Sequence, residues 1–476
     1  MSESFANLID GQWRFSGETL ADENPSDTSD IIGQYAVAGA LDVSDAVAVA
    51  RGASRKWAAV TPQDKADRLD AIGTEIGARA AELARQLARE EGKTVREAQA
   101  EVAKSAQLFK FFAGEAVRLG GEHVRSIRPG IDVDVERRAL GVVVLVTPWN
   151  FPLSIPAWKA APALAYGNAV ILKPSELTNA SAWSLAEIIN RHLPPGVFQL
   201  VMGGGAVGQA LISSSGVDGV SFTGSVQTGT AIARAVAPGV KLQMEMGGKN
   251  PLIVMEDADL ALAVDCAVKG AYYSSGQRCT ASSRLIVHSA VYEQFIELLT
   301  RVVSRLRVGH ALDDSTDIGP LVSARQLERV QGYVAIGKEE GGRLLFGGER
   351  IEGHTKGFYM RPALFVDTPS RHRINQEEIF GPVASVLEVD GLDEAIEVAN
   401  DTEFGLCAGL FSRSLVYARK FRQNVVAGMT MINLPTVGTD YHVPFGGARS
   451  SSFGPRELGS GAREFYTTTV TTYTAG

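Results

Sequence analysis

Cys279, in Gly276-Gln277-Arg278-Cys279-Thr280, and Glu245, in Glu245-Met246-Gly247-Gly248-Lys249, are the residues of this chain whose types and settings combine into a reaction. A thiolate attacks a carbonyl carbon and holds the acyl product as a thioester, and a separate carboxylate activates the water that releases it. The pair therefore implies two-step covalent catalysis. The chain has three cysteines, Cys266, Cys279 and Cys407, an odd number that leaves no complete disulfide framework and fits a reducing compartment. Cys266 lies in an apolar helical run and Cys407 in the apolar stretch Phe404-Gly405-Leu406-Cys407-Ala408-Gly409-Leu410-Phe411, so both read as small core hydrophobes. Cys279 has polar neighbours, and Arg278 favours its thiolate if the two lie close in space.

The elements that carry these groups follow from length and pattern. A chain of 476 residues is too long for one ordinary core and implies two or three domains. Its 45% hydrophobic and 21% charged residues are those of a globular protein. A net charge of −8 without a basic block argues against a nucleic-acid partner. The first ten residues carry neither a basic region nor an apolar one, and no later apolar run approaches membrane-spanning length. The cytoplasm is the expected location, with no membrane partner and no metal.

Residues 42–119 read as Ala-rich, charge-laced helices, one of them opened by Thr61-Pro62. From residue 139 short apolar runs alternate with helices: 141–146, then a helix near 157–165, then strands at 169–172, 198–201 and 219–222. Continuous Val/Ile runs separated by helices indicate a parallel sheet covered on both faces, the doubly wound α/β pattern. A second α/β unit begins near Asn250, with strands at 251–254, 284–287 and 384–387. Residues 122–138, which include a Pro-Gly turn, and 464–473 fit neither unit; both are β-rich with polar alternation, and such strands need a partner edge.

Two glycine-rich loops compete for a phosphate group. Gly203-Gly204-Gly205-Ala206-Val207-Gly208 matches G-x-G-x-x-G literally, but its strand is short and the chain has 50 glycines. Phe222-Thr223-Gly224-Ser225-Val226-Gln227-Thr228-Gly229 runs from a strand into a helix, so that free N–H groups, the helix dipole and the Ser225 hydroxyl can face an anion. It is not a Walker A loop, since Thr230 stands at the lysine position; the plain alternative is an ordinary strand-to-helix turn.

With Thr147-Pro148-Trp149-Asn150-Phe151-Pro152, Lys173-Pro174-Ser175-Glu176, Phe222-Thr223-Gly224-Ser225, the Glu245 and Cys279 segments, Glu378-Ile379-Phe380-Gly381-Pro382 and Pro444-Phe445-Gly446-Gly447, the chain resembles the NAD(P)-dependent aldehyde dehydrogenase superfamily, in the family's motif order along nearly its whole length. The resemblance implies an α/β fold with a Rossmann-type cofactor domain (1–121 and 140–247), an α/β catalytic domain (248–450) and a small β oligomerisation element (122–139 and 451–476). It implies that Cys279 attacks the aldehyde, that the Asn150 amide and the Cys279 N–H hold the oxyanion, and that Glu245 activates water against the thioester. Lys159 and Glu457 match positions that carry protons in some relatives, with a surface salt bridge as the alternative. NAD is the implied cofactor and NADP the second candidate: Thr147, Trp149 and Gly224 border it, Lys173 and Glu176 meet the adenine ribose, Ser225 the pyrophosphate, and Glu378 with Phe380 the nicotinamide riboside. The implied partners are a small aldehyde and further copies of the chain in a homodimer or homotetramer.

The departures bear on substrate. The family often reads Pro-Phe-Gly-Gly-x-Lys-x-Ser-Gly-x-Gly, and this chain has Pro444-Phe445-Gly446-Gly447-Ala448-Arg449-Ser450-Ser451-Ser452-Phe453-Gly454-Pro455, with an extra residue before Arg456. That segment is similar to bacterial α-ketoglutarate semialdehyde (2,5-dioxopentanoate) dehydrogenases. Succinate-semialdehyde relatives often carry an arginine where this chain has Trp158. Phe151, Ile155 and Trp158 would line the substrate wall, which suits a broad-specificity aliphatic or aromatic enzyme as well. Arg278 either pairs with a substrate carboxylate or turns away into a structural ion pair. Glu245 argues against a CoA-acylating enzyme, the presence of Cys279, Asn150 and Glu245 together against a catalytically silent protein on this fold, and the lack of a histidine in a catalytic context against a thiol hydrolase.

Overall fold

The computed structural model describes residues 4–15 and 17–476; residues 1–3, where the expected cofactor domain begins, lie outside the described residues. The run of Val and Ile in Val142–Val146 and Ala169–Lys173 does form central parallel strands, covered by helices on both faces. They belong to an eight-stranded sheet in the order Ser452–Phe453, Lys241–Glu245, Gly219–Thr223, Val142–Val146, Ala169–Lys173, Phe198–Leu200, Asn7–Ile9, Gln12–Arg14. Its five central strands are parallel, and the strands at the two ends join antiparallel. The chain leaves Val142–Val146 toward one edge and returns to Gly219–Thr223 on the other side, so the loops after these two strands flank a topological switch point. That crevice is where doubly wound sheets take ligands.

Among the described residues the second sheet has seven strands: Arg343–Phe346, Ala363–Val366, Val383–Val389, Ser282–His288, Asn250–Val254, Cys407–Phe411 and Met429–Ile432, parallel except for the first. Cys407 is buried in its strand and Cys266 in the helix Leu260–Ala271. Residues 246–249 alone link Glu245, the last residue of a strand in one sheet, to Asn250, the first of a strand in the other. A third sheet joins Glu122–Arg125, Ile131–Ala139 and Thr467–Ala475, the last two in a register running from Thr467 opposite Ala139 to Ala475 opposite Ile131. Four helices, Ala40–Ala58, Pro62–Ala78, Ala80–Glu91 and Val95–Ala116, occupy the helical region. The Thr61 hydroxyl caps the second by accepting from Asp64 N–H.

One boundary of the sequence reading needs correction. The expected oligomerisation element starts at residue 451, yet Ser452–Phe453 pairs with Met244 and Glu245 at the edge of the eight-stranded sheet. The extra residue before Arg456 and the left-handed Gly454 (φ 88°) follow this two-residue strand as the chain turns away. Among the described residues no helix is long and apolar enough to cross a membrane.

Candidate active site

Cys279 follows three successive residues in the left-handed region, Ser274 (φ 51°), Ser275 (φ 55°) and Gly276 (φ 65°). A non-glycine residue there costs on the order of 1–3 kcal/mol, so the turn persists only where its surroundings hold it. Glu97 does so, its Oε1 accepting from Ser274 N (2.8 Å), Ser274 Oγ (3.0 Å) and Arg278 Nη2 (3.1 Å). The Ser275 hydroxyl donates to Gly319 O at 2.7 Å. A Cβ at Gly276 would stand 2.2 Å from Gly381 O, so only glycine fits. On the other side the Asn250 amide donates to Cys279 O (2.8 Å) and Ala281 O (3.0 Å), tying the nucleophile loop to the second sheet.

Asn150 sits in the loop after Val142–Val146, buried, with its Nδ2 donating to Gln277 O at 3.0 Å. That bond uses one N–H of the amide and orients the second. Lys93 holds the same residue from behind, its Nζ donating to Asn150 O (2.7 Å) and to Glu101 Oε2 (2.6 Å) and lying 4.1 Å from the Phe151 ring centroid. Glu101 Oε1 accepts from Leu153 N and Ser154 N, each at 3.0 Å. It thereby does the work of an N-cap for the helix Ser154–Ala165, whose own capping residue, Leu153, has no side-chain oxygen. Burial opposes the charge on Lys93, and Glu101 with Glu91 more than offset it, raising its pKa. Burial pushes Glu91 itself up to about 8, despite Lys93.

Cys279 opens onto a cavity of about 270 Å³ whose wall includes Phe151, Ile155, Trp158 and Arg278. The structure corrects the sequence reading of Arg278. Its Nη2 is engaged by Glu97 and by Ser274 Oγ (2.7 Å), so its charge is already paired and it serves the turn rather than the thiol. Burial, with the Glu378 and Glu245 charges, pushes the Cys279 thiol up to about 12, opposite to the shift expected from an adjacent arginine. The same wall carries Lys104, which the sequence reading did not single out. The available signal was the spacing of Glu97, Glu101 and Lys104 along one face of the helix Val95–Ala116, which reads as a solvated charge stripe and instead faces the cavity.

Glu245 is 3% exposed. Its pKa is raised well above the usual carboxylate range by burial, with the Glu457 charge adding. The Ser452 hydroxyl donates to Glu245 Oε2 at 2.6 Å and accepts from Gly447 N at 2.6 Å. Ser452 falls at the glycine of the family pattern quoted above, and the antiparallel register places it directly opposite Glu245. A Cβ at Gly446 (φ 149°) would come within 2.8 Å of Glu245 Oε1, so the base needs glycine there. Lys159 and Glu457 form a fully buried pair, which removes the surface-salt-bridge alternative. Glu457 also accepts from the Trp158 indole N–H and from Ser221 Oγ (3.3 Å), and Lys159 donates to Ser221 Oγ (2.8 Å).

The cofactor candidates border the switch-point crevice. Thr147 Oγ1 and Thr223 Oγ1 are buried without a hydrogen-bond partner, as fits a ligand that brings its own donors and acceptors. Ser225 caps the helix Val226–Ala235, its Oγ accepting from Thr228 N at 3.2 Å, and the preceding Gly224 has no room for a side chain against the Phe222 ring. Lys173 Nζ lies 3.9 Å from Glu176 Oε2; burial lowers the Lys173 pKa and Glu176 opposes the shift. Trp149 meets Phe380 edge-on at 5.3 Å, and Phe380 itself is held at φ 62°. Glu378 Oε1 accepts from Gly248 N at 2.9 Å. The other glycine-rich loop starts the helix Gly205–Ile212 away from the switch point, although a Cβ at Gly208 would lie 3.7 Å from Lys173 Cδ.

A profile of the aldehyde dehydrogenase family matches residues 13–472. The chain is 40% identical over 480 residues to the α-ketoglutaric semialdehyde dehydrogenase of Bacillus subtilis, covering 99% of this chain and 98% of that one. It is 38% identical over 477 residues to the 2,5-dioxopentanoate dehydrogenase of Saccharolobus solfataricus, covering 99% of each. The crystal structure of betaine aldehyde dehydrogenase from Staphylococcus aureus in complex with NAD+ superposes with a TM-score of 0.97 at 33% identity, over 99% of this chain and 95% of that one.

Two outcomes follow from this geometry. Glu101→Gln keeps an acceptor for Leu153 N and Ser154 N but leaves Lys93 buried with Glu91, at 3.7 Å, as its nearest carboxylate, and should destabilise the protein by about 3 kcal/mol, read from chemical denaturation; a loss under about 1 kcal/mol rejects the role given to this pair. Ser452→Gly removes a hydrogen bond that favours ionised Glu245. The base then titrates higher, so the acidic limb of thioester hydrolysis moves to higher pH and the rates converge above both limbs; an unmoved limb in single-turnover pH profiles contradicts the coupling.

Proposed function

The chain belongs to the aldehyde dehydrogenase family and is an oxidoreductase acting on aldehydes; within that activity we propose that it oxidises α-ketoglutarate semialdehyde to 2-oxoglutarate with NAD, through Cys279 as nucleophile and Glu245 as base. The observation that carries the reading is the convergence of Cys279, anchored Asn150 and buried Glu245 on one cleft between the two sheets, with a cavity leading to the thiol. Full-length similarity to two proteins named for this aldehyde supports the substrate.

The Cys279 thiol gives up its proton to water as the sulfur attacks the aldehyde carbon and forms the C–S bond, and the oxygen that gains charge is met by the free N–H of the Asn150 amide and the Cys279 backbone N–H. A bound nicotinamide would supply the hydride acceptor, and Cys279 would then hold the oxidised carbon as a thioester. Glu245 removes a proton from water as its oxygen bonds to the thioester carbon; the C–S bond then breaks, releasing the acid and the sulfur. A carboxylate whose pKa is raised by burial is a stronger base, which suits this proton transfer. Glu457 and Lys159 would pass the proton on, a reading supported by the action of the Glu457 charge on Glu245 and by the buried Lys159–Glu457 pair.

Lys173 and Glu176 would hold the adenine ribose and Ser225 the pyrophosphate. The Glu176 carboxylate repels a 2′-phosphate, which favours NAD over NADP. A broad-specificity reading draws on the apolar faces of Phe151, Ile155 and Trp158, whereas a quaternary-ammonium aldehyde would face the Lys104 charge. We assign assembly as a homodimer or homotetramer to the third sheet, whose outer strands end in open edges and whose Val124, Ile127 and Tyr473 are exposed.

Cys279→Ala should abolish cofactor reduction, while Glu245→Gln should release about one equivalent of reduced cofactor per site and then turn over some 10²- to 10⁴-fold more slowly. Wild-type steady-state turnover in Glu245→Gln removes the glutamate from the mechanism. Phe465 and Tyr466 are core residues, so a chain ending at Tyr466 isolates the last strand. It should lower the mass measured by light scattering; a truncated protein with the full-length mass places the interface elsewhere.

A further inference from the structure

We infer that Lys104 binds the distal carboxylate of the substrate and so sets the preference of this site for an acidic aldehyde. The inference rests on the reading that the substrate is a short aldehyde bearing a carboxylate.

Three cations line the cavity that ends at Cys279: Lys93, Lys104 and Arg278. Two are committed. Lys93 is joined to Glu101 and to the Asn150 carbonyl, and Arg278 to Glu97. Lys104 forms no ion pair among the described residues; its ammonium donates to Thr439 O (2.9 Å) and Thr439 Oγ1 (3.0 Å). An ammonium has three N–H donors, and two are used. These two bonds fix the head group against the loop 437–439, which forms the opposite wall of the cavity.

Trp158 supplies the second line of argument. The Trp158 indole forms part of the cavity wall. The Lys104 ammonium lies 5.5 Å from the centroid of that ring, so the positive charge enters the same part of the wall from the facing helix. The indole is fixed in turn by its bond to Glu457. Burial lowers the Lys104 pKa, and the Asp440, Cys279 and Glu101 charges only partly oppose it. A cation desolvated without a carboxylate partner is stabilised by the arrival of one. Lys104 lies on the same helix as Glu97, seven residues or about 10 Å further along. An aldehyde carbon at Cys279 and a carboxylate at Lys104 therefore occupy different levels of one cavity.

Because the carboxylate is remote from the reacting carbon, its bond to Lys104 is equally strong in the ground and transition states and acts on KM more than on kcat. The test compares kcat/KM for α-ketoglutarate semialdehyde and for pentanal, an uncharged aldehyde of the same carbon count, in wild type, Lys104→Met, Lys104→Gln and Lys104→Arg. Wild type should prefer the acid. In Lys104→Met and Lys104→Gln the ratio of the two kcat/KM values should fall roughly 10- to 100-fold, the size of one charge-assisted hydrogen bond, with the loss in KM for the acid, and Lys104→Arg should recover most of it. If wild type prefers the acid but both neutral variants lower the two substrates alike, Lys104 is structural and the inference falls while the substrate reading stands. If wild type shows no preference for the acid, the substrate reading falls and takes the inference with it.

Discussion

The buried Lys93–Glu101 pair is the interaction on which the cleft depends. Through it one ammonium and one carboxylate fix the Asn150 carbonyl, the Phe151 ring and the first N–H groups of the helix that carries Ile155, Trp158 and Lys159. A buried ion pair is a poor source of net stability, since desolvating both charges offsets most of their attraction. Its value here is positional. Three backbone groups that no secondary structure satisfies find partners on it, and the loop after Val142–Val146 gains one shape. Glu97, one turn earlier on the same helix, does the equivalent for the turn before Cys279. A single helix face thus sets Asn150 and Cys279 relative to each other, although they come from different sheets.

The second constraint is electrostatic. Thiol and base are both buried, and each raises the other's pKa or is raised by a carboxylate nearby. At rest the cleft therefore favours the Cys279 thiol, and its burial opposes the charge on Glu245. Two like charges are kept from coexisting, which suits a sequence in which the sulfur acts first and the carboxylate later. Ser452 moderates the second step. Its hydroxyl is the one donor to the Glu245 carboxylate among the described residues, and it arrives on a two-residue strand added at the sheet edge.

Much of this was legible in the chain. The alternation of apolar runs and helices gave several strands of each sheet, and the motif order singled out Cys279, Glu245 and Asn150, because those signals are local. The groups that position them were not legible, because their partners are remote. Glu97 meets Ser274, Glu101 meets Leu153, and Lys104 meets Thr439, each across a long stretch of sequence. On the helix itself these charges have the spacing of a solvated face. Arg278 shows the same limit: proximity to Cys279 in sequence suggested an electrostatic role, and a carboxylate from another helix claims its guanidinium. The G-x-G-x-x-G match, discounted in the sequence for its short strand, also follows a strand that is not one of the pair at which the sheet order reverses.

Chemistry and selectivity consequently occupy different parts of the cleft. The reacting groups stand on backbone that is strained or closely packed: the left-handed turn before Cys279, the contact of Gly446 with Glu245, and the Asn150 loop clamped by Lys93. Such geometry tolerates little change, because each residue has several partners that over-determine it. The far wall is built differently. Trp158 and the loop 437–439 present side chains and one ammonium to an otherwise apolar space, and none of them shapes the turn that carries the sulfur. A change there would leave the turn that carries the Cys279 sulfur and its partners in place. That separation lets the far wall vary while the frame around Cys279 and Asn150 stays fixed.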